Sequence, residues 1–311
     1  MKIAVLCVVD YAGNMYNLCS AVNKYTEHEA MLISLGHHVH YKYPEMMIYV
    51  NERAKSRQII YDADAVVFKE YHYIAQRMGV ELEKLKGKAL AILLGGGGFR
   101  IAERRKANLD FYGKIPGIKW TVTSTDMLEE MPNAKWIPRS VRLDEIRQKY
   151  DYSKKKPPLV VASPSLGSNS KFKVERQFNQ AVSALKQKGL KFQSQVIKGV
   201  DNDTCLRLKA PASIYFDRIG PIWGVNSMES GAFESAIITG CTDFNWEKLK
   251  KLGLGCPFIR VRNVNELIAE IEGLLEDEKY MRKKGLECFK YVERLHSGRE
   301  AAERLVEVLN S

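Results

Sequence analysis

Residues 150–162 read YDYSKKKPPLVVA. The first nine are polar and cationic and end in two prolines, which is linker chemistry. The last four form a short apolar run that reads as a buried strand. One pattern recurs on both sides of this break: short apolar runs alternate with longer stretches of helical spacing. Before it, Ile3–Val9, His38–Tyr43, Ala65–Phe68, Ala89–Leu94 and Trp120–Ser124 read as strands, and Asn14–Leu35 reads as a helix closed by Gly36. After it, Leu159–Ala162, Phe192–Ile197, Ser213–Phe216, Ser235–Ile238 and the short Arg260–Arg262 read as strands. Helices over Lys173–Lys188, Asp203–Leu208 and Ser227–Phe233 separate them, and Val264–Asn310 is helical with an Asn cap at 263 or 265. Strand–helix–strand at this spacing predicts parallel sheets covered by helices on both faces. The expected fold class is α/β, with two Rossmann-like β/α/β lobes facing across a cleft. Residues 1–150 would form one lobe and 151–311 the other, hinged at Tyr150–Pro158. Ligands of such sheets bind at the carboxyl ends of strands, beside helix N-termini. A phosphorylated ligand held between the lobes is therefore expected.

Composition is that of a globular protein: 311 residues, 45% hydrophobic and 27% charged. That excludes fibrous and disordered classes. Apolar runs such as Ala89–Leu94 are far short of the roughly 20 residues that span a bilayer. The opening MKIAVLCVVDY reads as a first strand rather than a signal peptide, so a cytoplasmic protein is expected, with peripheral membrane contact left open. The cysteines at 7, 19, 205, 241, 256 and 288 form no C-x-x-C pair and read as small buried hydrophobes. The net charge of +11 is spread over both halves. It favours anionic partners, whether nucleotides, nucleic acid or an anionic surface, without selecting among them.

Five stretches carry chemistry. Gly13 and Asn14 lie in the loop after the first strand, where glycine permits close backbone approach and the helix offers free N–H groups; the loop lacks G-x-G-x-x-G, so no dinucleotide fingerprint is present. Gly95, Gly96, Gly97 and Gly98 follow a buried strand and would open backbone amides to a ligand, with Arg100 beside them as a phosphate or carboxylate partner. His37, His38 and His40 could suggest a metal, but the sequence nearby holds no acidic or cysteine partner. Lys171 and Lys173 follow the small polar loop 163–170 at a helix start, an anion-binding arrangement. The richest stretch is 217–238, DRIGPIWGVNSMESGAFESAII. Here Arg218 follows a strand, Asn226 or Ser227 can cap a helix, and Glu229 falls in its first turn. Glu229 reads either as part of a capping box or as a carboxylate for two ribose hydroxyls.

At these residues the chain resembles the GT-B-fold glycosyltransferases, in particular the retaining, nucleotide-sugar-dependent family 4 and its group 1 relatives. Leu35-Gly36-His37-His38-Val39 resembles the family's Gly-His-x-Val, and Ala63-Asp64-Ala65-Val66-Val67 its Asp-Val-Val strand. Trp136–Val141 resembles the lead into the interdomain linker. Ser227-Met228-Glu229-Ser230-Gly231-Ala232 resembles the Glu-Ala motif, and Val264–Leu275 with His296-Ser297 the C-terminal tail. There are departures: Pro221 stands where the family often has a first glutamate, Glu234 and Ala236 stand at its glycine and proline, and the glycine run replaces a catalytic-site histidine, for which His72 is the nearest substitute.

The resemblance implies transfer of a sugar from a nucleotide-sugar donor to an acceptor through an oxocarbenium-like transition state. It implies Lys173 and the N–H groups near Asn226, Ser227 and Met228 on the leaving diphosphate, Arg100 and Arg218 in support, and Glu229 on the ribose. It implies no cofactor beyond the donor substrate, and no metal cluster is read. The acceptor stays open among glycan, lipid-linked sugar and nucleic acid. Other readings are a transferase acting on modified-base DNA, an inactive sugar-nucleotide binder, and a sugar-nucleotide epimerase.

Overall fold

The computed structural model describes residues 1–38, 43, 46–70, 73–95, 99–164 and 170–311, the side chains of 170–172 apart. The chain divides into two compact units, Met1–Ser140 with Gly298–Ser311, and Val141–Ser297.

The first unit runs β1 (Lys2–Cys7), α1 (Asn14–Tyr25), β2 (Glu29–Ser34), β3 (Met47–Ile48), α2 (Arg53–Asp62), β4 (Ala65–Lys69), α3 (Ile74–Arg77), β5 (Ala89–Leu94), α4 (Ala102–Tyr112), β6 (Lys119–Val122) and β7 (Lys135–Trp136). Its described strands form one parallel sheet in the order β3-β2-β1-β4-β5-β6-β7. The second unit runs α5 (Leu143–Lys149), β8 (Leu159–Ala162), α6 (Ser170–Gln187), β9 (Gln193–Val196), α7 (Asn202–Lys209), β10 (Ile214–Phe216), α8 (Val225–Ala232), β11 (Ala236–Thr239), α9 (Asp243–Lys251), β12 (Ile259–Arg260), α10 (Val264–Glu276) and α11 (Glu278–His296). Its sheet is ordered β12-β11-β10-β8-β9. The last helix, α12 (Arg299–Asn310), returns to the first unit.

Parallel strands covered on both faces need near-continuous apolar sequence. LVVA in β8 and AIIT in β11 meet that need and are buried at every position. In α10 the Asn263 side chain accepts from Glu266 N, and the Glu266 carboxylate reaches back to Arg262 N at 2.7 Å, a reciprocal cap.

Three expectations from the sequence are corrected. The helix read over Asn14–Leu35 stops at Tyr25, and Glu29–Ser34 pairs in parallel with β1 from Lys2↔Glu29 to Cys7↔Ser34. EAMLIS is built mostly from helix formers, and pairing with the central strand overrides that weak local preference. Second, α12 does not belong with residues 151–297. Its Ala301, Ala302, Leu305 and Leu309 share one buried cluster with Ile3, Val22 and Leu93. Third, the units divide at Ser140/Val141 rather than at 150/151. Arg147 donates to Ala232 O at 2.7 Å and to Glu234 Oε1 at 2.9 Å, which fixes α5 to the second unit. The stretch read as a hinge is also anchored there, because Lys154 Nζ donates to the carbonyls of Ala212 (2.6 Å) and Phe233. The strand read over His38–Tyr43 lies mostly outside the described residues.

Candidate functional site

In the second unit, the segment leaving the carboxyl end of β10 builds the head of α8. Asp217 is almost fully buried. Its Oδ2 accepts from Gly224 N at 2.6 Å and from Ser227 Oγ at 3.0 Å. Its Oδ1 accepts from Arg218 Nε and Nη2, both at 3.2 Å. The neighbouring carboxylate raises the Arg218 pKa further, against the effect of burial. Gly224 is the N-cap residue of α8, and a Cβ there would lie 2.7 Å from Arg218 Nη2. A larger residue there would displace the end of the Arg218 side chain, so the glycine lets the guanidinium lie against the helix head. The first N–H groups of a helix lack intrahelical partners and carry partial positive charge. A permanent cation is therefore fixed beside the positive end of a helix, an arrangement suited to a phosphate group.

The cap of α8 differs from the expectation. Neither Asn226 nor Ser227 caps it: Gly224 takes that position, and Asp217 serves it from outside the helix. Glu229 is the fifth residue of α8 and does not turn back onto the helix start. Its Oε2 accepts from Lys209 Nζ at 2.6 Å, and Asn226 Oδ1 accepts from the same ammonium at 2.6 Å. The Lys209 side chain is 0% exposed. Burial opposes its charge, but Cys205 and Glu229 together raise its pKa above the ordinary lysine value. Asn226 Nδ2 donates to Ser163 O at 3.1 Å, so the network reaches the carboxyl end of β8. Met228 is buried. Helix α6 starts at Ser170, which puts Lys171 and Lys173 in its first turn, with the Lys173 side chain exposed.

The first unit holds the other candidates. Gly13 is left-handed, at φ 64. The α1 N–H groups expected to be free are partly taken: Asp10 accepts from Met15 N and Tyr16 N, each at 2.9 Å. Burial raises the Asp10 pKa to about 6, against these hydrogen bonds and Lys69. Asn14 Nδ2 donates to Tyr11 O at 2.8 Å, and its Oδ1 is buried with no hydrogen-bond partner among the described residues. Arg100 is not a free anion partner, because it pairs with Asp126 at 2.6 Å. Gly95 has a packing reason that the sequence did not show: a Cβ there would collide with Lys69 Nζ and Glu70 Oε1. His72, Gly96 and Gly97 lie outside the described residues. The structure thus brings together Arg218, Asn226, Ser227, Met228 and Glu229 around α8, and separately Gly13, Asn14 and Asp10 at α1.

Sequence reasoning missed Lys209 and the Lys69–Glu70 pair. Lys209 ends an ordinary-looking amphipathic helix and gives no signal alone. The two charges directly after the apolar run Ala65–Phe68 are the sequence signal that marks the pair. Among the described residues, no helix is long and apolar enough to cross a membrane, and no group of three or more His, Cys, Asp or Glu is placed to hold a metal ion.

No protein-family model matches the chain, and no curated protein matches its sequence. Solved structures do match along its length. A glycosyltransferase from Rickettsia africae ESF-5 is 15% identical with TM-score 0.62, over 99% of this chain and 98% of that one. HepE from Anabaena, in complex with UDP-glucose, is 12% identical with TM-score 0.64, over 100% and 99%. Sucrose-phosphate synthase from Thermosynechococcus elongatus is 11% identical with TM-score 0.60, over 100% and 98%. At these identities the likeness is one of fold: the chain has the GT-B type fold of two Rossmann-like lobes.

Proposed function

We propose that this chain is a nucleotide-sugar-dependent glycosyltransferase. The observation that carries the reading is Arg218 packed over Gly224 at the head of α8, within a fold similar end to end to that of a protein bound to UDP-glucose. In this reading the second unit binds the donor and the first unit the acceptor. The sugar–diphosphate bond breaks toward an oxocarbenium-like state, and negative charge builds on the leaving diphosphate. Arg218 and the α8 N-terminus receive that charge, with Lys171 and Lys173 on α6 as further cations. Glu229 keeps Oε2 on Lys209 and gives its other oxygen to the ribose diol. On the first unit, Gly13, Asn14, His72 and the glycine run are the candidates for substrate contact. Transfer is with retention and without a metal ion, the charges above serving the leaving group. The anionic donor also suits the net charge of +11.

The test is a thermal-shift screen of nucleotide sugars, beginning with UDP-glucose, followed by mass spectrometry for released nucleotide diphosphate. A donor that stabilises the chain and is turned over supports transfer. A donor that binds without turnover moves the reading to a sugar-nucleotide binder. Salt-dependent retardation of plain duplex DNA, with no response to any sugar nucleotide, contradicts it in favour of a nucleic-acid-directed protein.

A further inference from the structure

Lys69 and Glu70 stand apart from the α8 site. Lys69 is the last residue of β4 and Glu70 follows it, so the pair lies at the carboxyl edge of the first unit's sheet. This is the edge at which ligands of open parallel sheets bind. Lys69 Nζ and Glu70 Oε1 are 3.5 Å apart, with side chains 15% and 8% exposed. That spacing is an ion pair but a poor hydrogen bond. Glu70 Oε1 has no hydrogen-bond partner among the described residues. A buried polar atom left in that state costs free energy.

Two further observations single out the pair. Glu70 adopts φ 57, in the left-handed region that residues with a Cβ rarely occupy. Such backbone strain persists where the surroundings impose it, and it concentrates at ligand sites. Gly95, at the end of the neighbouring β5, leaves the space in which both charged groups lie, and a methyl there would strike both. Burial lowers the Lys69 pKa; of its charged neighbours, Glu70 and Asp10, after β1, oppose that shift, and Arg139, after β7, adds to it. Among these described groups two positive and two negative side chains meet, a set that does not select for an ion.

The chemistry of a completing group follows. A phosphate or carboxylate would accept from Lys69 but be repelled by Glu70. An ammonium would do the reverse. A hydroxyl satisfies both, donating to Oε1 and accepting from Nζ. We infer that Lys69 and Glu70 form the binding site for a hydroxyl group of the acceptor, so that the acceptor presents a sugar or polyol to the first unit. This rests on the transferase reading and names the acceptor class within it.

The experiment titrates methyl α-glucopyranoside, methyl α-mannopyranoside and methyl β-galactopyranoside into the full chain, followed by saturation-transfer NMR without donor. UDP is titrated separately. At least one glycoside binds the wild type. Glu70→Gln and the double variant Lys69→Met/Glu70→Gln weaken that binding about tenfold or more, as loss of a charge-assisted hydrogen bond requires, and leave UDP affinity unchanged. The double variant replaces the pair by neutral side chains of similar volume, so its melting temperature stays near that of the wild type. Unaltered glycoside binding in the folded double variant, or no glycoside binding by the wild type, overturns the assignment. Glycoside binding lost in the variants while the wild type ignores UDP supports the hydroxyl site and contradicts the donor reading alone.

Discussion

Arg218 is tied to its own neighbour, Asp217, by two hydrogen bonds of 3.2 Å, while the other oxygen of that carboxylate holds Gly224 N at 2.6 Å. One buried carboxylate thereby fixes both the cation and the helix terminus proposed to receive a diphosphate. Arg218→Ala removes the cation and leaves Asp217 its contacts to α8. UDP affinity should fall by about ten- to a hundredfold, the worth of a hydrogen bond to a charged group, and the melting temperature should fall as well, because the buried Asp217 carboxylate loses its counter-ion. Asp217→Asn should also lower both, and calorimetry beside a melting curve reads the two effects in each variant.

Lys209 and Glu229 form a buried ion pair at 2.6 Å. Removing one partner strands the other charge, so Lys209→Met should cost about 3–5 kcal/mol in a denaturant titration. Combining it with Glu229→Gln should recover much of that loss. If Glu229 also holds the ribose, the double variant regains stability but not donor affinity. Recovery of both would remove Glu229 from the donor site.

The Asp10 carboxyl titrates at about 6 rather than near 3.8 because it is buried. A raised pKa means the folded state keeps the proton longer. The resulting stabilisation is complete below about 3.8 and is lost as pH rises through about 6. Asp10→Asn retains a capping oxygen for α1 without this titration. Its melting temperature should therefore gain on the wild type between pH 4 and 6 and hold that gain above, as the window just given requires. Parallel pH profiles would contradict this.

Deleting Gly298–Ser311 uncovers the core of the first unit. Ala301, Ala302, Leu305 and Leu309 leave a cluster that includes β1 and α1, and each large aliphatic side chain is worth about 1.5–3 kcal/mol of burial. The truncated chain should lose near-ultraviolet dichroism and become protease-sensitive in residues 1–140. An unchanged digestion pattern would show that α12 is dispensable.

What the sequence made legible follows from contiguity. Ala89–Leu94 and Leu159–Ala162 were readable because strands buried on both faces must be apolar without interruption. The reciprocal cap at Asn263 was partly readable because it is local, and the stretch holding Arg218 and Glu229 stood out by its density of polar and glycine residues. The failures are non-local. Glu29–Ser34 is strand only because β1 lies beside it. Lys209 meets Glu229 across 20 residues of chain. Gly95 looked like room for a ligand, but the sheet order places Lys69 and Glu70 in that room.

Calorimetric titration of UDP into the wild type and Arg218→Ala tests the donor-site assignment most directly. The expected result is saturable binding at a single site, weakened at least about tenfold in the variant. Equal affinity in the two proteins, or no binding of UDP or any other nucleoside diphosphate to the wild type, would contradict it.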